Sequence, residues 1–152
     1  MAKYIIPFSF LLFLSFSSCD EGQQILNSNI DEIEDFIAEN NLDAQRTEND
    51  LFYVVLEEGN GEFPDITDEV TVDYHGYFTN GIVFDSSVDR GEPVTFPLTN
   101  VIRGWQQGIP LFSKGGSGIL LIPSHLAYGE QGVPGSIPSN SVIVFDVNLL
   151  DF

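Results

Sequence analysis

Basic residues are scarce in this chain. Five Lys and Arg face 23 Asp and Glu over 152 residues, giving a formal net charge of −18. A surface of that sign repels phosphate, which excludes nucleic acid as a partner. There is one cysteine, Cys19, so no internal disulfide can form. The two histidines, His75 and His125, stand apart from it and from each other, and no HExxH or zinc spacing is present, so no metal is expected. A glycine-rich phosphate loop, a nucleophile elbow with its triad and an Asp-x-Asp-x-Asp-Gly calcium loop are also missing. Asp85 and Asp146 each adjoin a phenylalanine, but no motif supports them as a glycosidase pair. Chemistry that depends on a metal, a cofactor or a covalent nucleophile therefore has no footing, and no cofactor is expected.

What is present begins with an apolar run, Tyr4 to Leu14, preceded by Lys3 and followed by Ser17-Ser18-Cys19. The run is short for a bilayer span and suits a signal segment. It resembles a bacterial lipoprotein signal, cut before the cysteine that then carries lipid; Phe16 departs from the aliphatic residue usual in that pattern. Residues 1–18 are set aside as a signal peptide, with Cys19 the lipidated residue. The expected location is the cell envelope, anchored to a membrane on its periplasmic or surface face.

Residues 19–50 divide into a polar tether, Asp20 to Asn27, and an acidic amphipathic helix. Ser28 or Asn29 can cap the helix, with Asp31 or Glu32 three residues on. Ile30, Ile33, Phe36 and Ile37 fall on one face, and Asn40-Asn41 can stop it. Docking on the chain's own domain is preferred to partner binding. From Asp20 to Asp50 ten acids meet one base, Arg46.

From Leu51 the pattern is strands and turns. Strands are expected at 51–56, 70–75, 94–96, 118–122 and 142–150, the last without a breaker and hence central. Asn80-Gly81 marks a tight turn. Val101 to about Leu111 reads as the one helix of this half, and Tyr128 to Asn140, with three glycines and two prolines, as a long loop. Many strands with one helix give an α+β domain over 51–152.

Four phrases within that domain are Phe84-Asp85-Ser86-Ser87, Val101-Ile102-Arg103-Gly104-Trp105, Ala127-Tyr128-Gly129 and Val144-Phe145-Asp146-Val147. In order and spacing they resemble the FKBP-type peptidyl-prolyl isomerases. The resemblance implies an antiparallel sheet wrapped around a short helix, here with an extra N-terminal helix, and catalysis of X–Pro isomerisation. It implies Trp105 as the floor of a proline pocket, with Tyr74, Phe84, Phe96 and Phe145 as aromatic walls. Val101 and Ile102 lead into the floor, and Ile102 offers a backbone N–H to a ligand carbonyl. Tyr128 is the hydroxyl donor at the rim and Ile137 lies in the loop above. Asp85 is a carboxylate in an apolar cavity, held by Tyr74 or Arg90, with an electrostatic role. Asp85, Trp105, Tyr128 and Phe145 form the implied catalytic set. Val94, Leu126, Val133 and Ser136 depart from the family's pattern and place rim specificity and macrolide affinity in question.

Partners so implied are proline-containing polypeptides, macrolide inhibitors and a membrane through the lipid anchor, with the protein a monomer. Glu39 to Leu42 and Gln45 to Thr47 extend the resemblance to gliding-motility-associated isomerase lipoproteins. The alternative is a non-catalytic proline-binding module, chaperone or scaffold. Loops 84–93 and 127–138, near the family's minimal length, favour the isomerase.

Overall fold

The computed structural model describes residues 17–152, with side chains from Asp20 onward. The expected signal run Tyr4–Leu14 and the Cys19 side chain lie outside the described residues. Among those described, no helix is long and apolar enough to cross a membrane.

Helix α1 spans Ser17–Asn40 and precedes seven strands: β1 (Gln45–Arg46), β2 (Phe52–Glu57), β3 (Glu69–Tyr77), β4 (Val83–Ser86), β5 (Val94–Pro97), β6 (Ser117–Ile122) and β7 (Ile143–Asp151). A four-residue helix, α2 (Ser87–Arg90), separates β4 from β5, and α3 (Arg103–Gly108) separates β5 from β6. The sheet runs β1-β2-β6-β7-β3-β4, and β5 also pairs with β3. Every pairing is antiparallel. The unbroken run at 142–150 is thus central, between β6 and β3, as its lack of breakers predicts. β4 pairs with residues 75–77 of β3 and β5 with residues 69–72. The two therefore act as one edge strand, broken by α2 and the turn after it.

Both faces of the sheet are covered. On one face Trp105 and Ile109 pack over Val70, Val72, Leu120, Ile122, Phe145, Val147 and Leu149. On the other, Ile33 of α1 is fully buried among Phe52, Val54, Ile119, Leu121, Val142 and Val144. Strand β6 is buried at Gly118 to Ile122 in succession, because neighbouring side chains enter opposite cores. An uninterrupted apolar strand signals cover on two sides.

Helix α3 lies close to the sheet because two of its six residues have no side chain. A Cβ on Gly104 would stand 2.5 Å from Cγ2 of Ile122, and one on Gly108 would stand 2.6 Å from Cδ2 of Leu120. Two glycines cost a helix about 2 kcal/mol in propensity, and here they bring Trp105 down onto the strands. The helix tightens into a 3₁₀ turn at Ile109–Leu111 around Pro110, so the expected 101–111 helix is shorter in its α part.

Two expectations for the N-terminal segment are corrected. Asp20 to Asn27 is not a tether but part of α1, with Ile25 and Leu26 half-buried. Nucleation is the costly step of helix formation, so a docked helix extends backwards easily. Neither Ser28 nor Asn29 caps the helix, since both lie inside it. The stop at Asn40-Asn41 is as expected. Asn41 has φ 53°, its N–H donates to Ala38 O (3.3 Å), and Leu42 N–H donates to Ile37 O (3.0 Å). This is a Schellman closure with asparagine in the left-handed position.

Candidate active site

A cavity of about 520 Å³ opens between α3, the inner sheet face and the loop after β6. Its lining includes Tyr74, Phe84, Asp85, Phe96, Val101, Ile102, Trp105, Tyr128, Ile137 and Phe145. Residues from six separate stretches thus meet in one place. Of the pocket residues expected from sequence, Arg90 alone does not line the cavity; it stands behind Asp85.

Trp105 is 5% exposed and is ringed by aromatics. Tyr74 and Phe145 meet it edge-on, with centroids at 5.3 Å and 5.0 Å and planes at 84° and 81°, and Phe96 lies tilted at 5.3 Å. Phe84 stands edge-on to Phe145 at 5.5 Å. Such edge-to-face contacts place a ring's positive rim on its neighbour's negative face and hold each plane in orientation. Gly76 makes room for this, since a Cβ there would meet Phe145 at 2.7 Å and Phe84 at 2.9 Å. The indole N–H of Trp105 is buried and has no hydrogen-bond acceptor among the described residues. Trp105 can therefore act on a ligand only through its ring face. Ile102, at the head of α3, donates its N–H to no backbone carbonyl among the described residues.

One carboxylate enters this apolar setting. Asp85 accepts from the Tyr74 hydroxyl and from the Arg90 guanidinium, and Arg90 also donates to the Tyr74 oxygen at 3.0 Å. Either holder foreseen from the sequence is thus present, and the two hold each other. Burial by itself would raise the Asp85 carboxyl, but the Tyr74 hydroxyl, Arg90 and the Ser86 N–H together bring it below its ordinary 3.8. Burial raises the Tyr74 hydroxyl, reinforced by Asp85, and burial and then the Asp85 charge raise that of Tyr128. Asp85 is therefore an anion and both tyrosines are neutral donors across the physiological range.

The strand break that delivers Asp85 and Arg90 is anchored from the far side of the sheet. Ser86 caps α2 by accepting from Asp89 N–H at 3.1 Å, and its Oγ lies 3.0 Å from Nδ1 of His75. Ser87 is fully buried, donates to Asp73 at 2.9 Å and accepts from Tyr74 N–H at 2.9 Å. Sequence reasoning did not assign these two serines, although Ser86-x-x-Asp89 carries a capping signal. Asn100, Val94, Val133 and Ser136 also line the cavity. Three of the four departures from the family pattern thus face the ligand space. The fourth, Leu126, is 3% exposed within the inner core and is no part of the rim.

The family profile described as FKBP-type peptidyl-prolyl cis-trans isomerase matches residues 60–150. The chain is 50% identical over 102 residues to the peptidyl-prolyl cis-trans isomerase Mip of Coxiella burnetii, covering 67% of this chain and 44% of that protein. It is 53% identical over 107 residues to FkpA of Aeromonas hydrophila, covering 70% of this chain and 40% of the relative. Among solved structures, that of FkpA from Escherichia coli superposes with a TM-score of 0.74 at 41% identity, over 88% of this chain and 63% of that one. The chain spans less than half the length of these two curated relatives.

Proposed function

The chain belongs to the FKBP-type peptidyl-prolyl cis-trans isomerase family, and on that premise we propose that it accelerates cis–trans interconversion of X–Pro bonds in exported polypeptides. The observation that carries this is a cavity walled by aromatic rings, with a single carboxylate held by Tyr74 and Arg90. An X–Pro amide resists rotation by about 18–20 kcal/mol because of its resonance. In the twisted transition state that resonance is lost and the carbonyl dipole falls. Water stabilises the planar, more polar form, so a surface that excludes water while gripping the proline ring lowers the barrier without breaking a bond. Trp105 supplies the flat surface beneath the ring and Tyr74, Phe96 and Phe145 its walls. The Ile102 N–H and Tyr128 hydroxyl orient carbonyls of the client. Asp85 provides a fixed negative field beside the rotating carbonyl carbon, where the amide's charge distribution changes most.

The assay is isomerisation of a short Xaa-Pro peptide by the full chain. A folded protein no faster than buffer rules out the isomerase reading. Asp85→Val removes the field and leaves Arg90 free to rehydrate, so kcat/KM is expected to fall about tenfold with little loss of stability. The pH profile follows from the direction of the shifts. A carboxyl held below 3.8 keeps its charge, and its contribution, until the pH drops through that lowered value. Tyrosines raised above 10.0 keep their protons until the pH rises through the raised values. Activity is therefore expected to be level between about pH 5 and 9; a bell centred near neutrality would contradict this assignment.

The cellular setting rests on the first nineteen residues. Lys3, the apolar run and Ser17-Ser18-Cys19 support an envelope lipoprotein whose clients are newly exported chains, with a role in gliding motility as one outcome of such folding work. Macrolides would use the same floor, with altered contacts at Val94, Val133 and Ser136, and the protein would act as a monomer. Fatty-acid label should enter the wild type and be absent from Cys19→Ala; equal labelling of both would end the lipoprotein reading.

A further inference from the structure

Helix α1 is hydrogen-bonded through Asn29 to the base of the loop that carries the pocket rim. Asn29 is only 4% exposed and lies outside the matched residues 60–150. Its Oδ1 accepts from Ser124 N–H at 2.8 Å and its Nδ2 donates to Asn140 O at 3.1 Å. These two partners are the feet of the loop that carries the rim. At the first foot, the Ser124 carbonyl accepts from Ala127 N–H at 3.0 Å and from Gly129 N–H at 2.9 Å, closing the turn on which Tyr128 sits. At the second, Asn140 is in the left-handed region at φ 56° and donates its N–H to Gly129 O at 2.8 Å. Gly129 is thus held from both feet, and Asn29 joins the feet to each other. Above them, Tyr128 O accepts from Gly132 N–H at 3.1 Å, and Val133 and Ile137 exchange two bonds of 2.8 Å.

We propose that Asn29 is a positioning residue of the active site, a clamp from the N-terminal helix that sets where Tyr128, Val133, Ser136 and Ile137 stand over Trp105. The residue type fits the task. A carboxamide presents an acceptor and a donor side by side without charge. Aspartate could keep the Ser124 bond but would turn an anionic oxygen toward the Asn140 carbonyl. A buried polar group left without its partner is costly, so the feet lose more than one ordinary surface bond when the clamp opens. For its kinetic readout the inference rests on the isomerase reading; for its structural readout it does not.

The experiment compares wild type, Asn29→Asp and Asn29→Leu as full chains, at a temperature where all three are folded. Loss of the clamp is expected to lower kcat/KM for an Xaa-Pro peptide about fivefold, mainly through KM. Amide exchange at Gly129, Gly132 and Val133 is expected to quicken about tenfold while Leu120 and Val147 in the sheet stay unchanged. Asn29→Asp, which keeps the Ser124 arm but sets a carboxylate against the Asn140 carbonyl, should lose at least as much as Asn29→Leu. Lower stability with unchanged loop exchange and unchanged kcat/KM would reduce Asn29 to a helix-docking residue and overturn the proposal. If the wild type lacks isomerase activity, the functional reading fails and loop exchange alone still decides the clamp.

Discussion

Trp105→Leu is expected to lower kcat/KM for Xaa-Pro peptides about a hundredfold, the largest activity loss of any single change in the pocket. Leucine is apolar, so the variant tests the flat ring and not mere hydrophobicity. Three aromatic neighbours, Tyr74, Phe96 and Phe145, take their orientation from the indole. Without it the walls can rotate into the vacated volume, and water can follow. The stability cost is about 3 kcal/mol from lost area and ring contacts, within what a domain of this size tolerates. Trp105 is the chain's one tryptophan, so indole fluorescence reads the pocket directly: a proline peptide should perturb it in the wild type. Chemical denaturation would establish that the variant is folded. Near-wild-type kcat/KM in a folded Trp105→Leu protein would show that the floor is replaceable and that the transition state is recognised elsewhere.

Ile33→Asp is expected to detach α1 rather than unfold the sheet. Ile33 is fully buried against the outer face, and an unpaired carboxylate placed there costs several kcal/mol. Lifting the helix off avoids that cost but exposes Phe52, Val54, Ile119, Leu121, Val142 and Val144 together. The thermal midpoint should fall by about 15 °C, helicity should drop, and the uncovered face should drive association. Size-exclusion chromatography and circular dichroism check both effects. Because Asn29 would leave with the helix, isomerase activity should decline as well. A monomer of unchanged helicity would mean that α1 is not held by this face.

Much of the architecture was legible because it rests on local pattern. Alternation at Val70, Val72 and Tyr74 marks β3, Asn80-Gly81 its turn, and the breaker-free run to Leu150 the central β7. The pocket could be read as a set only through resemblance. Tyr74, Asp85, Trp105, Tyr128 and Phe145 lie on separate elements, and no periodicity relates them. Val94, Val133 and Ser136 line the cavity as the resemblance implies, whereas Leu126, grouped with them in sequence, is core. Leu126 lies in the turn Ser124–Leu126 and Val133 in the loop that follows, and how that segment folds back on the domain decides which surface each serves.

Asn29 marks the boundary most clearly. In the sequence, an asparagine before an acidic, amphipathic run is a helix cap, since its side chain can accept from the backbone two or three residues on. In the fold Asn29 lies well inside α1, Ser17–Asn40, and the same amide turns inward to two partners 95 and 111 residues away. The sequence by itself determined five of the seven strands, the charge and the apolar face of α1, because each follows from residue type and near-neighbour spacing. The tertiary structure decided which aromatics meet, why Asp85 stays ionised, and that the N-terminal helix is bonded to the base of the rim loop. Those depend on long-range packing and hydrogen bonds, whose free energy exists only once distant segments are brought together.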